Sequence, residues 1–191
     1  MGAGSEVTFA WEQRKLGEIG TTFAGLSGKT KEDFGHGDAW YITYMNVFSN
    51  PISAANGIEN IEIDGRQNKV QYGDVLFTTS SETAEEVAMS SVWLSNRENV
   101  YLNSFCFGWR PAIEVQPLYL AYMLRSFAMR KKLTLLAQGI SRYNISKIKV
   151  MEIAVPLPRL DEQARIGSFF RDLDALITLH QRKPNCILNA A

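Results

Sequence analysis

One loop of this sequence combines side chains that proteins often use to recognise DNA bases. It spans residues 139–145 and presents Ser141, Arg142, Tyr143 and Asn144 in succession. In the major groove a guanidinium can fork onto guanine and a carboxamide onto adenine, whereas hydroxyl groups can bind phosphate oxygens. The residue types therefore predict contact with DNA, but they do not say which of these side chains touches a base.

Positive charge is concentrated around this loop. Residues 115–151 contain seven basic side chains and no acidic one, whereas residues 1–114 contain 8 Lys or Arg against 15 Asp or Glu. A basic stripe on an otherwise acidic protein is typical of phosphate binding, even though the net charge here is zero. A solvated helix face is the alternative for residues 130–132. The seven basic residues are Arg125, Arg130, Lys131, Lys132, Arg142, Lys147 and Lys149.

Two further segments are predicted to contact DNA. Thr79, Ser80 and Ser81 open a hydroxyl-rich loop directly after a predicted buried strand, although a simple connecting loop would have the same composition. Lys29 and Lys31 lie in a loop rich in Gly and Thr, and we interpret them as surface charges that can contact phosphate.

The residues that would support nucleotide or metal chemistry do not form the necessary patterns. The stretch 25–30, Gly-Leu-Ser-Gly-Lys-Thr, suggests a phosphate-binding P-loop, but the position that needs the first glycine of that motif is Phe23. His36 and His180 are far apart, and no Cys or His cluster has the spacing of metal ligands. We predict no bound metal, no cofactor and no catalytic residue in this chain.

An endonuclease remains an alternative from a different functional class. Glu62 and Asp64, with Lys69 nearby, could form the carboxylate cluster of a nuclease, but carboxylates beside a glycine turn are common. A protein-interaction module, in which the basic stripe is incidental, is the other alternative. Metal-dependent cleavage would identify the first, and gel shifts with DNA against mixed partner proteins would identify the second.

The positions of apolar residues predict an α+β fold. An opening segment, residues 11–19, is expected to pack Trp11 and Leu16 on the domain, and residues 20–37 are predicted to form a loop. Pro156 and Pro158 are expected to end the last strand. Strands are predicted within residues 39–48, 58–63, 70–79, 87–94, 100–102, 105–110 and 147–155, with a packed helix over residues 118–138.

A long helix is predicted over residues 161–183, with Pro184 as its end. Asp161 and Glu162 favour its start, because a helix N-terminus is partly positive. The helix can pack on its own domain, or it can project and pair with another helix as a short coiled coil. Its apolar stripe, at positions i, i+3, i+4 and i+7, consists of Ile166, Phe169, Phe170, Leu173, Leu176, Ile177 and His180.

Segments at both ends of the chain resemble the specificity subunits of type I restriction–modification systems. Residues 11–19, Trp-Glu-Gln-Arg-Lys-Leu-Gly-Glu-Ile, are similar to the segment that opens a target recognition domain in that family. Residues 139–146 are similar to the family segment that precedes the last strand. The conserved helical region is matched by Leu157, Pro158, Leu160, Glu162, Gln163, Ile166, Phe169, Phe170, Leu173 and Asp174, closing on His180, Gln181, Arg182 and Lys183.

The resemblance implies a target recognition domain at residues 6–158, built from mixed and antiparallel strands, and a helical dimerisation and spacer region of coiled-coil type at residues 159–191. It implies a non-enzymatic subunit that recognises half of a bipartite DNA site and holds methyltransferase (modification) subunits, through which restriction subunits act. S-adenosylmethionine, ATP and magnesium would belong to those partners. Because family members usually carry two copies of each region and this sequence contains one, we expect a homodimer through the last helix.

Composition supports an ordinary globular protein, with 46% hydrophobic and 21% charged residues. No apolar run reaches the roughly 18 residues of a membrane span, and no signal peptide is visible, which predicts a cytoplasmic location without membrane contact. Cys106 and Cys186 are predicted to be free thiols.

Overall fold

The computed structural model describes residues 11–181 and has the predicted α+β class, with strands through most of the chain and a long helix at its C-terminal side. The strands are β1 (Glu12–Lys15), β2 (Gly20–Ala24), β3 (Phe34–Ile42), β4 (Ile58–Ile61), β5 (Val75–Thr78), β6 (Ser80–Ser81), β7 (Ser90–Val92), β8 (Val100–Leu102), β9 (Cys106–Pro111), β10 (Tyr143–Asn144) and β11 (Ala154–Leu157). The helices are α1 (Tyr44–Ser49), α2 (Pro117–Met123), α3 (Phe127–Thr134), α4 (Lys147–Met151) and α5 (Leu160–Gln181), with single 3-10 turns at Leu16–Glu18 and Lys31–Asp33.

The core lies around a four-stranded antiparallel sheet in the order β2-β9-β5-β7. Every residue of β5 is buried, as expected for a strand that has neighbours on both edges and cover on both faces. The rings of Phe77 and Phe107 stack at 5.1 Å, and the indole nitrogen of Trp109 donates to the Leu16 carbonyl at 3.1 Å. A three-stranded sheet, β4-β3-β8, and the pairs β1-β11 and β6-β10 surround this core.

Two predictions in the N-terminal half were wrong. Residues 20–37 are not one loop, because they contain β2 and the start of β3. The single strand predicted at residues 39–48 ends at Ile42, and α1 follows it. Thr43 causes this change: its hydroxyl accepts a hydrogen bond from the Asn46 amide at 3.2 Å, which caps the N-terminus of a helix.

Three predictions in the C-terminal half were also wrong. The helix predicted at residues 118–138 is interrupted between α2 and α3, where the Ser126 hydroxyl caps α3 through the Met129 amide at 3.4 Å. The strand predicted at residues 147–155 is helix α4 followed by β11. Pro156 lies inside β11 rather than after it, which is possible because β11 pairs with β1 alone and so has a free edge.

Helix α5 starts against the rest of the fold, where it packs on α2, and then extends away from it. The Gln163 side chain accepts from the Gln116 amide at 3.0 Å and donates to the Pro158 carbonyl at 2.8 Å. A Cβ at Gly167 would come within 2.7 Å of the Leu118 Cβ, so the glycine allows α2 and α5 to approach closely. From Phe169 to Gln181 every residue is exposed. The predicted end of the helix at Lys183, the Pro184 stop and Cys186 lie outside the described residues, and the boundary at residue 158 stays a prediction.

Cys106 is a buried free thiol, as predicted, and burial raises its pKa to about 12. None of the helices within residues 11–181 combines the length and the hydrophobicity needed to cross a membrane.

Candidate nucleic-acid interface

Two of the three segments predicted to contact DNA, residues 79–81 and 139–145, lie side by side. Strands β6 and β10 pair antiparallel, with Ser80 opposite Asn144 and Ser81 opposite Tyr143. The Ile145 amide extends the pairing by donating to the Thr79 carbonyl at 3.0 Å. This two-residue ladder joins loops that are about sixty residues apart in the sequence, so both present their side chains at one place.

A rigid hairpin carries the Arg142 side chain. Gln138 and Asn144 exchange two backbone hydrogen bonds, at 2.9 and 2.8 Å. Gly139 has a φ of +141°, and a Cβ there would collide with the Arg142 carbonyl oxygen. Only glycine adopts this conformation readily. Because backbone hydrogen bonds close its base, the hairpin holds Ser141 and Arg142 at its exposed tip.

A cleft of about 720 Å³ opens beside this hairpin. The Arg142 guanidinium donates to the Ser80 hydroxyl at 3.3 Å, and the Tyr44 hydroxyl donates to the Ser80 carbonyl at 2.6 Å. The rings of Tyr44 and Phe48 stack at 5.9 Å along one wall. The cleft is lined by Tyr44, Met45, Phe48, Ser80, Ser81, Glu82, Glu86, Ser141 and Arg142.

The cleft offers both donors and acceptors for hydrogen bonds. Arg142 supplies a guanidinium, and Glu82 and Glu86 supply carboxylates on the same lining. Burial raises the pKa of Tyr44, so its hydroxyl stays protonated at neutral pH and continues to donate to Ser80. A guanidinium suits the acceptor edge of guanine, and a carboxylate suits the amino group of cytosine. The lining can therefore recognise the polar edges of base pairs.

A shallower groove of about 420 Å³ includes the residues next to this ladder. Thr79, Ile145 and Lys147 lie along it, opposite residues 24–27. The Thr79 hydroxyl donates to the Phe105 carbonyl at 2.8 Å, so this side chain is bound within the fold, whereas Lys147 is exposed.

The predicted basic stripe divides into exposed and internal residues. Lys131 and Lys132 are exposed on α3, and the Lys132 ammonium donates to the Ala154 carbonyl at 2.8 Å. Arg130 does not form the predicted surface contact, because its guanidinium donates to the carbonyls of Glu85, Val87 and Ala88. Residue type alone could not distinguish Arg130 from its lysine neighbours.

Lys29 also differs from its predicted role as a surface charge. Its side chain is 10% exposed, and its ammonium lies 3.1 Å from the Asp64 carboxylate and 3.7 Å from that of Asp33. Lys31, two residues later, is exposed as predicted. The Lys29 ammonium is thus neutralised within the fold and is not available to phosphate.

The same contacts weaken the endonuclease alternative. The Arg66 guanidinium, together with the Lys29 ammonium, holds the pKa of the Asp64 carboxyl well below its usual range. Glu62 is separate from this ion pair, with its carboxylate 3.7 Å from the His36 ring. Within residues 11–181, no group of three or more His, Cys, Asp or Glu side chains could hold a metal ion.

The apolar stripe of α5 covers two faces of the helix. Ile166 packs against the core, and the Phe170 ring stacks on Tyr122 at 5.6 Å. At about 100° per residue, Leu176 lies roughly a third of a turn away from the face that contacts α2, and Leu173 lies between the two. The helix therefore packs on its own domain and also presents a free stripe, which consists of Phe169, Leu173, Leu176, Ile177 and His180, all exposed.

The chain matches a family model described as "Type I restriction modification DNA specificity domain" over residues 10–189. The match covers almost all of the 191 residues and includes the cleft, the neighbouring groove and α5. The chain belongs to this family.

Related proteins support this assignment of the specificity domain. It is 25% identical over 179 residues to the "Putative type I restriction enzyme MjaX specificity subunit" of Methanocaldococcus jannaschii, an alignment that covers 90% of this chain and 41% of the relative. It is 24% identical over 179 residues to the type I restriction enzyme StySPI specificity subunit of Salmonella potsdam. This alignment covers 87% of this chain and 36% of the relative. The chain thus spans less than half the length of the relatives.

Solved structures have the same fold as this specificity domain. The HsdS subunit from Thermoanaerobacter tengcongensis aligns with a TM-score of 0.62 at 18% identity, over 95% of this chain and 42% of that one. The S subunit of the type I system of M. genitalium aligns with a TM-score of 0.57 at 14% identity, over 94% of this chain and 45% of that one.

Sequence analysis missed one wall of the cleft in this specificity domain. Tyr44, Met45 and Phe48 were assigned to a strand, but they lie on α1 and line the cleft. The available signal was Thr43 itself, a residue type that favours the N-cap of a helix and stands directly before these residues. Glu82 and Glu86 were not among the predicted residues, because a carboxylate repels phosphate and its position on the cleft lining depends on the fold.

Proposed function

We propose that this specificity domain recognises one half of a bipartite double-stranded DNA site through the cleft at the β6–β10 ladder. The observation that carries the proposal is the pairing of Ser80 and Ser81 with Asn144 and Tyr143, which assembles two polar loops beside Arg142. The exposed Lys31, Lys131, Lys132 and Lys147 provide charge for phosphate.

The domain acts as a targeting subunit rather than as an enzyme. In this proposal it positions the methyltransferase subunits on DNA and, through them, the restriction subunits, so adenine methylation and ATP-dependent cleavage belong to the partners. S-adenosylmethionine, ATP and magnesium are bound by those partners. The names of its relatives, specificity subunits of type I restriction enzymes, support this role. Purified protein with these cofactors should neither methylate nor cleave DNA.

The free stripe of α5 pairs with the same stripe of a second copy. A contiguous apolar face such as that of Leu173, Leu176 and Ile177 is costly to expose to water. Two identical helices cover it most simply in a two-fold, antiparallel arrangement. The 22 residues of α5 extend over ~33 Å. The pair would place two recognition domains at opposite ends, facing two inverted half-sites at a fixed separation.

Salt-dependent binding tests this function against the alternative of a protein-interaction module. Fluorescence anisotropy is measured with labelled random-sequence duplexes, at several salt concentrations, for the protein alone and with its modification subunits. Binding that weakens linearly in log affinity with log salt supports DNA recognition. Absence of DNA binding at low salt in both preparations, with the modification subunits still bound, would support the interaction module instead.

A further inference from the structure

Two arginines of the basic stripe point into the protein and bind backbone carbonyls. The Arg125 guanidinium donates to the Ser90 carbonyl at 2.6 Å and to the Val47 and Phe48 carbonyls at 2.8 and 2.9 Å. It also reaches the Asn50 carbonyl at 3.1 Å. Arg125 therefore binds the last turn of α1, where helix carbonyls lack partners of their own.

Arg130 makes the corresponding contacts to a different segment. Its guanidinium donates to the Glu85 carbonyl at 2.7 Å and to the Ala88 carbonyl at 2.8 Å, and also to the Val87 carbonyl. Ala88 has a φ of +51°, in the left-handed region that a residue with a Cβ rarely adopts. Three hydrogen bonds from one guanidinium hold this unfavourable turn in place.

The two anchored segments are the two walls of the cleft. Helix α1 carries Tyr44, Met45 and Phe48, and the loop that ends at Ala88 carries Glu82 and Glu86. Arg125 lies in the turn between α2 and α3, and Arg130 follows it five positions later on α3. The segment from Arg125 to Arg130 is thus hydrogen-bonded to both sides of the cleft.

We propose that Arg125 and Arg130 are positioning residues for DNA recognition, which hold the two walls of the cleft at a fixed separation without touching DNA. This inference rests on the proposed function of the cleft. According to this inference, the two arginines contribute to specificity. They do not neutralise phosphate charge.

The chemistry of arginine explains why lysine would not serve equally well. A guanidinium has five N–H donors in a planar fork and can bind several carbonyls at once, whereas an ammonium is a compact point charge. Arg125 binds four carbonyls and Arg130 binds three. Replacement by lysine keeps the charge and much of the volume but leaves carbonyls unpaired, so the walls can move.

The test compares Arg125→Lys and Arg130→Lys with Lys131→Ala, which changes an exposed residue of α3. For each variant, folding is checked by circular dichroism and thermal melting. Affinity is then measured at several salt concentrations for the preferred duplex and for an unrelated duplex of equal length. We expect each lysine variant to reduce the ratio of the two affinities by about tenfold or more, the scale of one lost base-pair preference. Affinity for the unrelated duplex and its salt slope should remain unchanged.

Lys131→Ala should give the opposite pattern, with weaker binding to both duplexes, a flatter salt slope and an unchanged ratio. A purely structural role of the arginines would lower the melting temperature without changing the ratio for the folded protein, and this would overturn the inference. Weaker binding to both duplexes by the same factor in the arginine variants would also overturn it, because it would mean that the guanidinium groups contact the DNA backbone rather than the walls of the cleft. If the wild type binds neither duplex, the proposed function itself fails.

Hydrogen exchange on the wild-type protein provides a test that does not depend on the folding of the variants. The segment around Val87 and Met89 lies outside regular strands, and its amides would exchange rapidly if the loop were loose. Slow exchange of the Val87 amide without DNA supports a held wall, because its own bond to the Ala84 carbonyl is long, at 3.5 Å, whereas the Met89 amide is also protected by its bond to the Thr78 hydroxyl. Exchange as fast as in an unstructured peptide would contradict it.

Discussion

The Arg142 guanidinium lies 3.3 Å from the Ser80 hydroxyl, although 62 residues separate the two in the sequence. The contact joins the tip of the 138–144 hairpin to the loop that follows the central buried strand β5. Both residues belong to segments whose composition suggests DNA contact, but only the ladder between β6 and β10 brings them together. The two loops, which are far apart in the sequence, therefore line one cleft.

Arg142→Ala should relax the preference at one base pair. A bidentate contact from arginine to guanine discriminates by ~1–3 kcal/mol, whereas the loss of one exposed charge weakens all sequences equally and modestly. Selection of duplexes from a random library, followed by sequencing, measures the effect. Arg159→Ala, which removes an exposed arginine at the start of α5, is the matched control and should return the wild-type motif. An unchanged motif for Arg142→Ala would mean that this side chain does not read a base.

Gly139→Ala should damage recognition more than its size suggests. Its φ of +141° is unfavourable for alanine, and the added Cβ would collide with the Arg142 carbonyl, so the hairpin must change shape. We expect a loss of specific binding of at least ~1 kcal/mol, the lower end of the cost of a strained backbone position. Gly65→Ala is the control, since a Cβ there meets nothing within 4 Å. Equal specific affinities for the two variants would show that the hairpin does not position Arg142.

Lys131→Ala combined with Lys132→Ala should flatten the dependence of log affinity on log salt. Each phosphate contact that is lost should reduce the slope by about one counterion and weaken all sequences alike. Anisotropy titrations between low and moderate salt measure this slope. Lys15→Ala serves as the control, because its ammonium is paired with Glu152 at 2.7 Å. If the double variant keeps the wild-type slope, α3 does not face the DNA backbone.

Leu173→Asp should convert a dimer into a monomer while the recognition domain stays folded. The aspartate would place a charge in the middle of the proposed helix pair, where it would be desolvated without a partner. Light scattering at tens of micromolar should give about twice the chain mass for the wild type and the chain mass for the variant. Leu179→Asp is the control, because Leu179 is exposed but lies off the stripe. A wild type that is already monomeric would mean that the stripe awaits a different partner.

Sequence patterns identified the elements whose signals are local and periodic. Helix α5 was found because its apolar residues follow the 3.6-residue period, and β5 because Val75, Leu76 and Phe77 form a short apolar run. The alternation of Trp40, Ile42 and Tyr44 also fits a strand, but the hydrogen bond from the Asn46 amide to Thr43 starts a helix instead. This local N-cap placed the aromatic residues on a helix, and the alternation of apolar residues alone does not reveal which of the two elements forms.

The site was predicted in part for the same reason. Ser80 and Arg142 were identified from side-chain chemistry, which does not depend on the fold. The internal roles of Arg130 and Lys29 depend on which carbonyls and carboxylates lie nearby, and residue type gives no information about that. A basic residue at a surface and one that binds buried carbonyls look identical in a charge count.

Selection of duplexes from a random library by the wild-type protein, alone and with its modification subunits, tests the central claim most directly. The account predicts enrichment of one short motif, present as two inverted copies with a constant spacing set by the α5 pair. Retention of all sequences in equal proportion, at salt concentrations where binding persists, would contradict it.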